Sequence, residues 1–518
     1  MLKFFNRRFF ILFIFPFFLG SITVLGFNPF NLLFVNAFSM SMLFYLVFYV
    51  KKKTQSSYRK KPFLKNLFLL GSSYGTGFFL FGVYWITYSL TFDDSFKFLI
   101  PFALILIPLF LSLFFSLPVM AIGNFINLEV SSIVLISILF SISDFLRSFV
   151  LTGFPWNLWA YSYSWSHESL QILPIIGIFS FNLILITLLF FPCIFFFKIK
   201  KKFLFVILFV ILLLSNYFYG SYKLNTQTFT KNFEKITFKV VSSGANLNEF
   251  KDLKLVISKL IKISEPDKNK KTIFVWPEGV ILDENFESRE ELKKLIKKNF
   301  SKNHLIVLGA NTQKINTDKT NYFNSFIIID NELNIIAQYN KKKLVPFGEF
   351  LPFEKTLRKI GLKKITHGYN SFTRGINDSV ISLEFDGKSL NILPLICYEI
   401  IFPSLVENEK KHFNFIINIS EDAWFGNSIG PEQHFVKAIF RSIESGSFTI
   451  RSANKGISAF ISPQGEILKT LKSTETGNIE MDLPILKSKN INTNKNLIFA
   501  LLLITYVITF IILKKFKL

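Results

Sequence analysis

Two cysteines and five histidines are all that 518 residues offer toward redox or metal chemistry. Cys193 lies inside an apolar stretch and Cys397 follows another, so a disulfide framework is excluded. The histidines are scattered and no H-E-x-x-H or C-x-x-C pairing occurs, so neither a metal site nor a cofactor is expected. Internal repeats and low-complexity linkers are missing as well, apart from a Lys/Asn-rich stretch at 487–495. Acidic residues are in deficit, 35 against 59 basic, for a net charge of +24. That surplus could suggest nucleic acid. Many of the lysines, however, sit in short clusters beside apolar runs, which suits membrane topology and anionic lipid; nucleic acid is not the expected partner.

Apolar residues are plentiful, half of the chain, with 67 phenylalanines concentrated in long stretches at both ends. Apolar segments fall at 9–25, 30–50, 66–90, 97–117, 123–147, 171–197, 203–219 and 497–513. Each is about long enough to cross a ~30 Å hydrocarbon core. The first has no small-residue cleavage site behind it and reads as a retained helix rather than a signal peptide. The segment 123–147 is unusual in holding Asn124, Asn127, Glu129 and Asp144. With eight spans, Lys51–Lys53 with Arg59–Lys61, Lys198 with Lys200–Lys202, and Lys514, Lys515 and Lys517 fall on one side. The positive-inside rule makes that side cytoplasmic and puts residues 220–495 on the other face, the periplasm of a Gram-negative cell. The expected organisation is a membrane domain at 1–219, an extracytoplasmic domain at 220–495 and a last helix at 496–518. The loop that opens with Gly153-Phe154-Pro155-Trp156 is rich in Trp and Tyr and reads mainly as an interfacial aromatic belt. Gly71, Gly75 and Gly77 lie within a span, where close helix packing explains them best.

The central region alternates strand and helix patterns. Strands are expected at 236–242, 272–276, 304–309, 325–330, 334–339, 391–396, 413–419, 447–452 and 457–462, and helices at about 249–264, 287–300 and 431–445. This is an α/β layout around one core. Three of these strands end on residues with complementary chemistry. The run Asn391–Ile396 delivers Cys397, Thr272–Trp276 leads through Pro277 to Glu278, and Asn334–Tyr339 leads to Lys341. Strand ends on one edge of a sheet converge, and α/β active sites gather there. A carboxylate can take a thiol proton, an ammonium can stabilise an oxyanion, and a thiolate can attack a carbonyl. Taken singly, a cysteine beside a strand is usually a small core residue, and Glu278 or Lys341 would be ordinary surface charge. His434, behind Gly430-Pro431, offers a rival Cys–His pairing, although its place suits packing near a helix start.

Together these residues resemble the nitrilase superfamily, whose Glu–Lys–Cys triad occurs in this chain order. The sequence is similar, more narrowly, to the membrane-embedded apolipoprotein N-acyltransferase family. The resemblance rests on Trp276-Pro277-Glu278, on Tyr339-Asn340-Lys341 with Leu344–Glu349, and on Ile396-Cys397-Tyr398-Glu399. Asn418–Gly426, Gly430–His434 and then Arg441, Glu444, Arg451, Ser452 and Asn454 extend it, and it covers nearly the whole chain. It implies a multi-pass helical domain of about eight spans plus an αββα sandwich in the cell inner membrane, with the sandwich on the periplasmic face. It implies a ping-pong acyl transfer without cofactor or metal. Cys397 attacks the sn-1 ester of a phospholipid, typically phosphatidylethanolamine, and the resulting thioester acylates the N-terminal amine of an S-diacylglyceryl-cysteine apolipoprotein. The partners implied are that phospholipid donor, the diacylated apolipoprotein acceptor and the bilayer. By the same resemblance Glu278 is the base and Lys341 the oxyanion stabiliser. Glu349, Tyr398, Glu399 and Trp424 support the site or bind substrate.

One loop departs from the family. A Gln-Gly-Asn-like turn followed by a tryptophan is expected near the first strand, whereas this chain reads Val241–Asn246 with Phe250 and Lys251 behind it. The segment Phe347–Ile365 mixes apolar residues with Lys355, Arg358, Lys359, Lys363 and Lys364 and suits an amphipathic arm on lipid headgroups. Two rival functions compete. A membrane-tethered amidase would share the triad but has no evident need of eight spans. A transporter or scaffold with an inert soluble domain is disfavoured by the intact triad and by spans without an inverted repeat.

Overall fold

The computed structural model describes the chain except residues 1–6, 55–59, 200–201, 227–232, 248, 250–251, 316–319, 360–363, 366–370, 377, 487–493 and 518. It divides into two compact units, Met1–Leu224 with Thr493–Leu518, and Asn225–Asn492. Among the described residues of the first unit, eight helical stretches are long and apolar enough to cross a bilayer: Arg7–Gly26, Leu33–Thr54, Phe63–Thr91, Asp94–Ile122, Val130–Arg147, Leu173–Phe196, Lys202–Thr226 and Lys495–Lys515. The fifth starts at Val130 rather than 123. Asn124 and Ile126 stay in the preceding loop, and their carbonyls accept from Lys51 Nζ at 3.2 and 2.7 Å. Asp144 remains in the helix because it is neutralised there: Arg147 donates to it at 2.8 Å and Asn182 at 2.9 Å.

Glycine sets how closely the spans approach. A Cβ at Gly71 would stand 2.8 Å from Ser116 Cα, one at Gly75 2.8 Å from Ser112 Cα, and one at Gly77 2.1 Å from Phe17 O. The third span thus packs backbone to backbone on the fourth and on the first. The aromatic-belt expectation fails for two of its rings. Trp156 and Trp159 are each only 1 % exposed, and Trp159 stacks on Phe78 at 5.4 Å while Trp156 packs on Trp85 at 4.4 Å. Arg147 draws them inward, since its guanidinium donates to the carbonyls of Phe154 and Asn157 in the same loop. Trp165, 52 % exposed, keeps the exposed position expected of that belt.

The second unit is a sandwich of two six-stranded sheets. In chain order its strands are β1 (Lys235–Ser242), β2 (Thr272–Val275), β3 (His304–Ile315), β4 (Thr320–Ile329), β5 (Ile335–Asn340), β6 (Ile381–Phe385), β7 (Lys388–Ile396), β8 (Phe415–Glu421), β9 (Phe448–Asn454), β10 (Ser458–Ile461), β11 (Ile467–Leu471) and β12 (Gly477–Pro484). One sheet runs β12-β1-β2-β3-β4-β5 and the other β11-β10-β9-β8-β7-β6. In each, three central strands are parallel and the flanking ones antiparallel. Strand alternation builds the layers. Ile236, Phe238 and Val240 of β1 and Ile273 and Val275 of β2 meet Phe415, Ile417 and Ile419 of β8 in the core between the sheets, with Phe238 and Phe415 edge to face at 5.0 Å.

The next residues of β2 face outward. Phe274 and Trp276 pack with Val256 and Leu260 of α1 (Leu253–Ser264) and Leu292 and Ile296 of α2 (Glu290–Asn299). On the second sheet's outer face lies α3 (Gly430–Ser445), with Pro431 in its first turn and Gly446 ending it at φ 65°. The result is the αββα arrangement expected. Three strands, β6, β11 and β12, were not expected from the sequence, and the β3–β4 hairpin runs further than expected, to Ile315 and back from Thr320.

Candidate active site

Pairing continues past the end of β2, where Trp276 N donates to Val307 O and Gly309 N to Pro277 O. This holds Glu278 beside β3, and a Cβ at Gly309 would stand 2.6 Å from Glu278 Cα. Lys341 N bonds Asn324 O at 2.9 Å, extending the β4–β5 ladder by one residue. Cys397 comes from the other sheet, at the end of β7 and the start of a tight turn, with φ 48°. Glu278, Lys341 and Cys397 therefore converge across two facing sheets, not along one sheet edge. The reason is that the parallel strands of both sheets end on the same side of the sandwich.

Lys341 is 1 % exposed, its ammonium 3.2 Å from Glu278 and 2.9 Å from Glu349. Burial works against its charge, but the two carboxylates outweigh burial and hold its pKa above the ordinary lysine value. Burial pushes the Cys397 thiol well above its usual range; Glu278 adds to this and Lys341 opposes it. The resting nucleophile is thus a protonated thiol with a carboxylate and an ammonium close by. Glu349 is anchored by Val345 N at 2.8 Å.

Asn324 was not singled out in the sequence, yet it joins both carboxylates, its side-chain amide donating to Glu278 at 2.8 Å and to Glu349 at 2.7 Å. A polar residue in the buried run of an apolar strand was the signal that could have found it. The second oxygen of Glu278 accepts from Glu421 N at 3.0 Å, so β8 takes part too.

Glu399 is fully buried and saturated. It accepts from Tyr339 Oη at 2.9 Å, Lys342 N at 2.7 Å, Lys343 N at 3.1 Å and Ile396 N at 2.9 Å. It ties the turn behind Cys397 to the turn behind Lys341. A carboxylate occupied in this way positions those two turns. Tyr398, half-buried beside the ring of Phe402 at 5.1 Å, and Trp424, half-buried on the turn Asp422–Phe425, stand on the turns behind the neighbouring parallel strands β7 and β8. Burial raises the Tyr398 hydroxyl pKa, so it stays a neutral phenol.

The rival Cys–His pairing is answered by His434. Its Nε2 lies 3.2 Å from the carbonyl oxygen of Cys397, and its Nδ1 3.0 Å from Asp422 and 3.1 Å from Arg451. Burial lowers its pKa, leaving the ring neutral. The tautomer decides which nitrogen carries the proton: in one Nε2–H donates to the Cys397 carbonyl, and in the other Nδ1–H donates to Asp422. It addresses the main chain of the cysteine.

The departing loop also has a place. Ser243 donates to Asn454 at 2.9 Å and Asn454 to Ala245 O at 2.8 Å, which pins this turn to the end of β9. Phe250 and Lys251 lie outside the described residues. In the arm, Lys355 and Lys359 are exposed, but Lys364 is buried with its ammonium 4.1 Å above the Phe372 ring, so it does not belong to a headgroup-facing surface. Lys363 lies outside the described residues.

A carbon-nitrogen hydrolase family model matches residues 247–487, and a model of the apolipoprotein N-acyltransferase N-terminal domain matches residues 19–191. The apolipoprotein N-acyltransferase of Rhizobium leguminosarum bv. trifolii is 30 % identical over 475 residues, 89 % of this chain and 88 % of that protein. The chain belongs to the apolipoprotein N-acyltransferase family. A second N-acyltransferase, from Rickettsia prowazekii, is 31 % identical over 476 residues, 90 % of each chain. Among solved structures, Saccharomyces cerevisiae Nit3 of the nitrilase superfamily aligns at TM-score 0.36 and 16 % identity, over 50 % of this chain and 93 % of that one. Membership of the N-acyltransferase family makes this a multi-pass membrane enzyme, an acyltransferase of lipoprotein maturation built on a nitrilase-type domain.

Proposed function

We propose that Cys397 carries the acyl chain between two lipid substrates as a thioester, with Glu278 as base and Lys341 as oxyanion stabiliser. The observation that carries this reading is the buried ammonium of Lys341, held between Glu278 and Glu349 beside a protonated thiol. In the first half-reaction Glu278 takes the thiol proton and the sulfur attacks the sn-1 ester carbonyl of a phospholipid, with phosphatidylethanolamine as the proposed donor. Charge develops on the carbonyl oxygen, where Lys341 and the N–H of Tyr398 stabilise it. The C–O bond breaks, the leaving alkoxide takes the proton back from Glu278, and a lysophospholipid departs. In the second half the neutral N-terminal amine of an S-diacylglyceryl-cysteine apolipoprotein attacks the thioester. An N–C bond forms, the C–S bond breaks, and the amine proton returns to sulfur through Glu278. Glu349 and Asn324 hold the Lys341–Glu278 pair throughout. Tyr398 and Trp424 shape the mouth of the site.

The same reading places 220–495 as the catalytic domain on the periplasmic face of the inner membrane, between a membrane domain at 1–219 and the helix at 496–518. The lysine clusters support that orientation. Mature diacylated substrates are displayed on that side, and a reporter fused near residue 300 should be found outside the cytoplasm. A cytoplasmic reporter would overturn the orientation.

The chemistry is tested by incubating the purified chain with phosphatidylethanolamine and no acceptor. A hydroxylamine-labile acyl mass should build up on Cys397, and addition of a diacylated lipopeptide should discharge it as N-acyl product. Cys397→Ser should form little or no adduct, because a hydroxyl is far less ionised and His434 is turned to the main chain. Labelling of Cys193 instead, or turnover by Cys397→Ala, would end this mechanism.

A further inference from the structure

Glu421 ends β8 opposite Asn454, the last pair of the β8–β9 ladder, and both its main chain and its side chain are engaged there. Its N–H donates to Oε2 of Glu278 at 3.0 Å. Oε1 of the same carboxylate is held from the first sheet, by Asn324 at 2.8 Å and Lys341 at 3.2 Å. Glu278 follows a strand of the first sheet and Cys397 follows one of the second. The bond from Glu421 therefore runs from the proposed base to the sheet that carries the nucleophile.

The Glu421 side chain is buried, 4 % exposed, and fixes the peptide that makes this bond. Its Oε1 accepts from Ala423 N at 3.1 Å and caps the turn Asp422–Phe425, and both oxygens lie 2.9 Å from Asn454 Nδ2. Asn454 is fixed in turn, donating to Ala245 O at 2.8 Å and accepting from Ser243 at 2.9 Å. Burial pushes the Glu421 carboxyl well above the usual carboxylate range; Glu278 and Asp422 add to this, while the bonds from Asn454 and Ala423 oppose it. The resting side chain is a neutral carboxyl group.

We infer that Glu421 is a positioning residue for acyl transfer: its side chain locks the end of β8 to Asn454, so that its N–H keeps Glu278 in place against the sheet of Cys397. This role rests on the reading of Glu278 as the base. A base must meet its proton at hydrogen-bond reach, and a small misplacement costs rate steeply. Without the carboxyl, Ala423 and Asn454 both lose an acceptor, and the N–H that reaches Glu278 moves with a loosened peptide. The neutral group also sets which substitutions are tolerated. Glutamine has the same length, no charge and an oxygen that can accept from Ala423 and Asn454, whereas alanine has no acceptor at all.

The test is single-turnover thioester formation from phosphatidylethanolamine by the full detergent-purified chain, with each variant made in the parent and in Glu278→Gln. In the parent, Glu421→Ala should slow the reaction about 10-fold and Glu421→Gln should stay within about twofold. In Glu278→Gln the same alanine should change the rate by less than about twofold, because it acts through a base that is already gone. A merely structural role would slow both backgrounds alike, and that result would overturn the positioning role. So would a parent rate in Glu421→Ala, or a Glu421→Gln as slow as the alanine variant. Should Glu421→Ala fail to fold, Asn454→Ala, which leaves the cap on Ala423 and removes the latch, carries the same expectations. A parent rate in Glu278→Gln would overturn the base and this role with it. A slow Glu278→Gln beside an unaffected Glu421→Ala would overturn the positioning role alone.

Discussion

Two buried polar networks touch Cys397, and they differ in the atom they address and in their charge balance. Glu278 and Lys341 act on the sulfur, with Glu349 behind them, two carboxylates sharing one ammonium, so the network can accept a proton. Asp422, Arg451 and His434 bond the carbonyl of the same residue through His434, one carboxylate against one guanidinium, and the charge of Asp422 also helps to keep the thiol protonated. Both are desolvated to a similar degree, so burial does not separate chemistry from architecture. The unbalanced charge does. A buried network that is one proton short can carry out general-base chemistry, whereas a balanced one holds shape.

Breaking the first network should show most in rate. Glu278→Gln keeps the shape of the side chain but removes the proposed base, and on that proposal thioester formation measured in a single turnover should slow by about 10²–10⁴-fold. An unchanged rate would move the base elsewhere. Lys341→Ala removes one oxyanion donor and should cost about 10²–10³-fold in the same assay. Breaking the second network should show first in stability. Asp422→Asn strands Arg451 in the interior and should destabilise the domain by about 3–5 kcal/mol in chemical unfolding, while the folded fraction keeps a rate within about tenfold of the parent.

Acid sharpens this contrast. Arg451 outweighs burial and holds Asp422 down to about 2, below its ordinary 3.8. Its contribution is complete above that ordinary value and is lost as pH falls through about 4 toward about 2. His434 is lowered from 6.5, so the unfolded chain takes its proton first, and stability also declines as pH falls below 6.5. Melting of the parent should fall through both windows, and Asp422→Asn should lack the lower one. The smallest effect on rate belongs to His434→Ala, whose cost falls on stability, about 1–3 kcal/mol for the buried carbonyl of Cys397 left without its partner. Thioester formation should stay within about tenfold, and a loss as large as that of Glu278→Gln would restore the Cys–His pairing.

The sequence showed the eight spans because each is a long apolar run, though their ends differ by up to seven residues, as at Val130 and Thr226, and among the described residues it showed nine of the twelve strands. The strands missed are β6, β11 and β12. All three are sheet edges with polar outward faces, yet the alternation that marks a half-buried strand is present in Ile381-Ser382-Leu383-Glu384-Phe385 and in Ile479-Glu480-Met481-Asp482-Leu483, so β6 and β12 were legible by that signal. Starting the fourth strand at residue 325 also hid Asn324, which lies one residue earlier on the same ladder, opposite Asn311. Glu278, Lys341 and Cys397 could be read because each follows an apolar strand directly. Their assembly across two sheets could not, since strand ends say nothing of which sheet each strand joins. The placement of Trp156 was misread for a similar reason, since an aromatic in a loop looks alike whether it faces outward or its loop is drawn in by Arg147.

The left-handed backbone of Cys397 has a consequence for how such a chain could decay. A residue with a Cβ is held at φ 48° at a cost of roughly 1–2 kcal/mol, which glycine would not incur. Glycine would lift that cost but also remove a side chain buried in the core between the sheets, so a lineage released from the need to acylate lipoproteins could drift to glycine at 397 with little net change in stability.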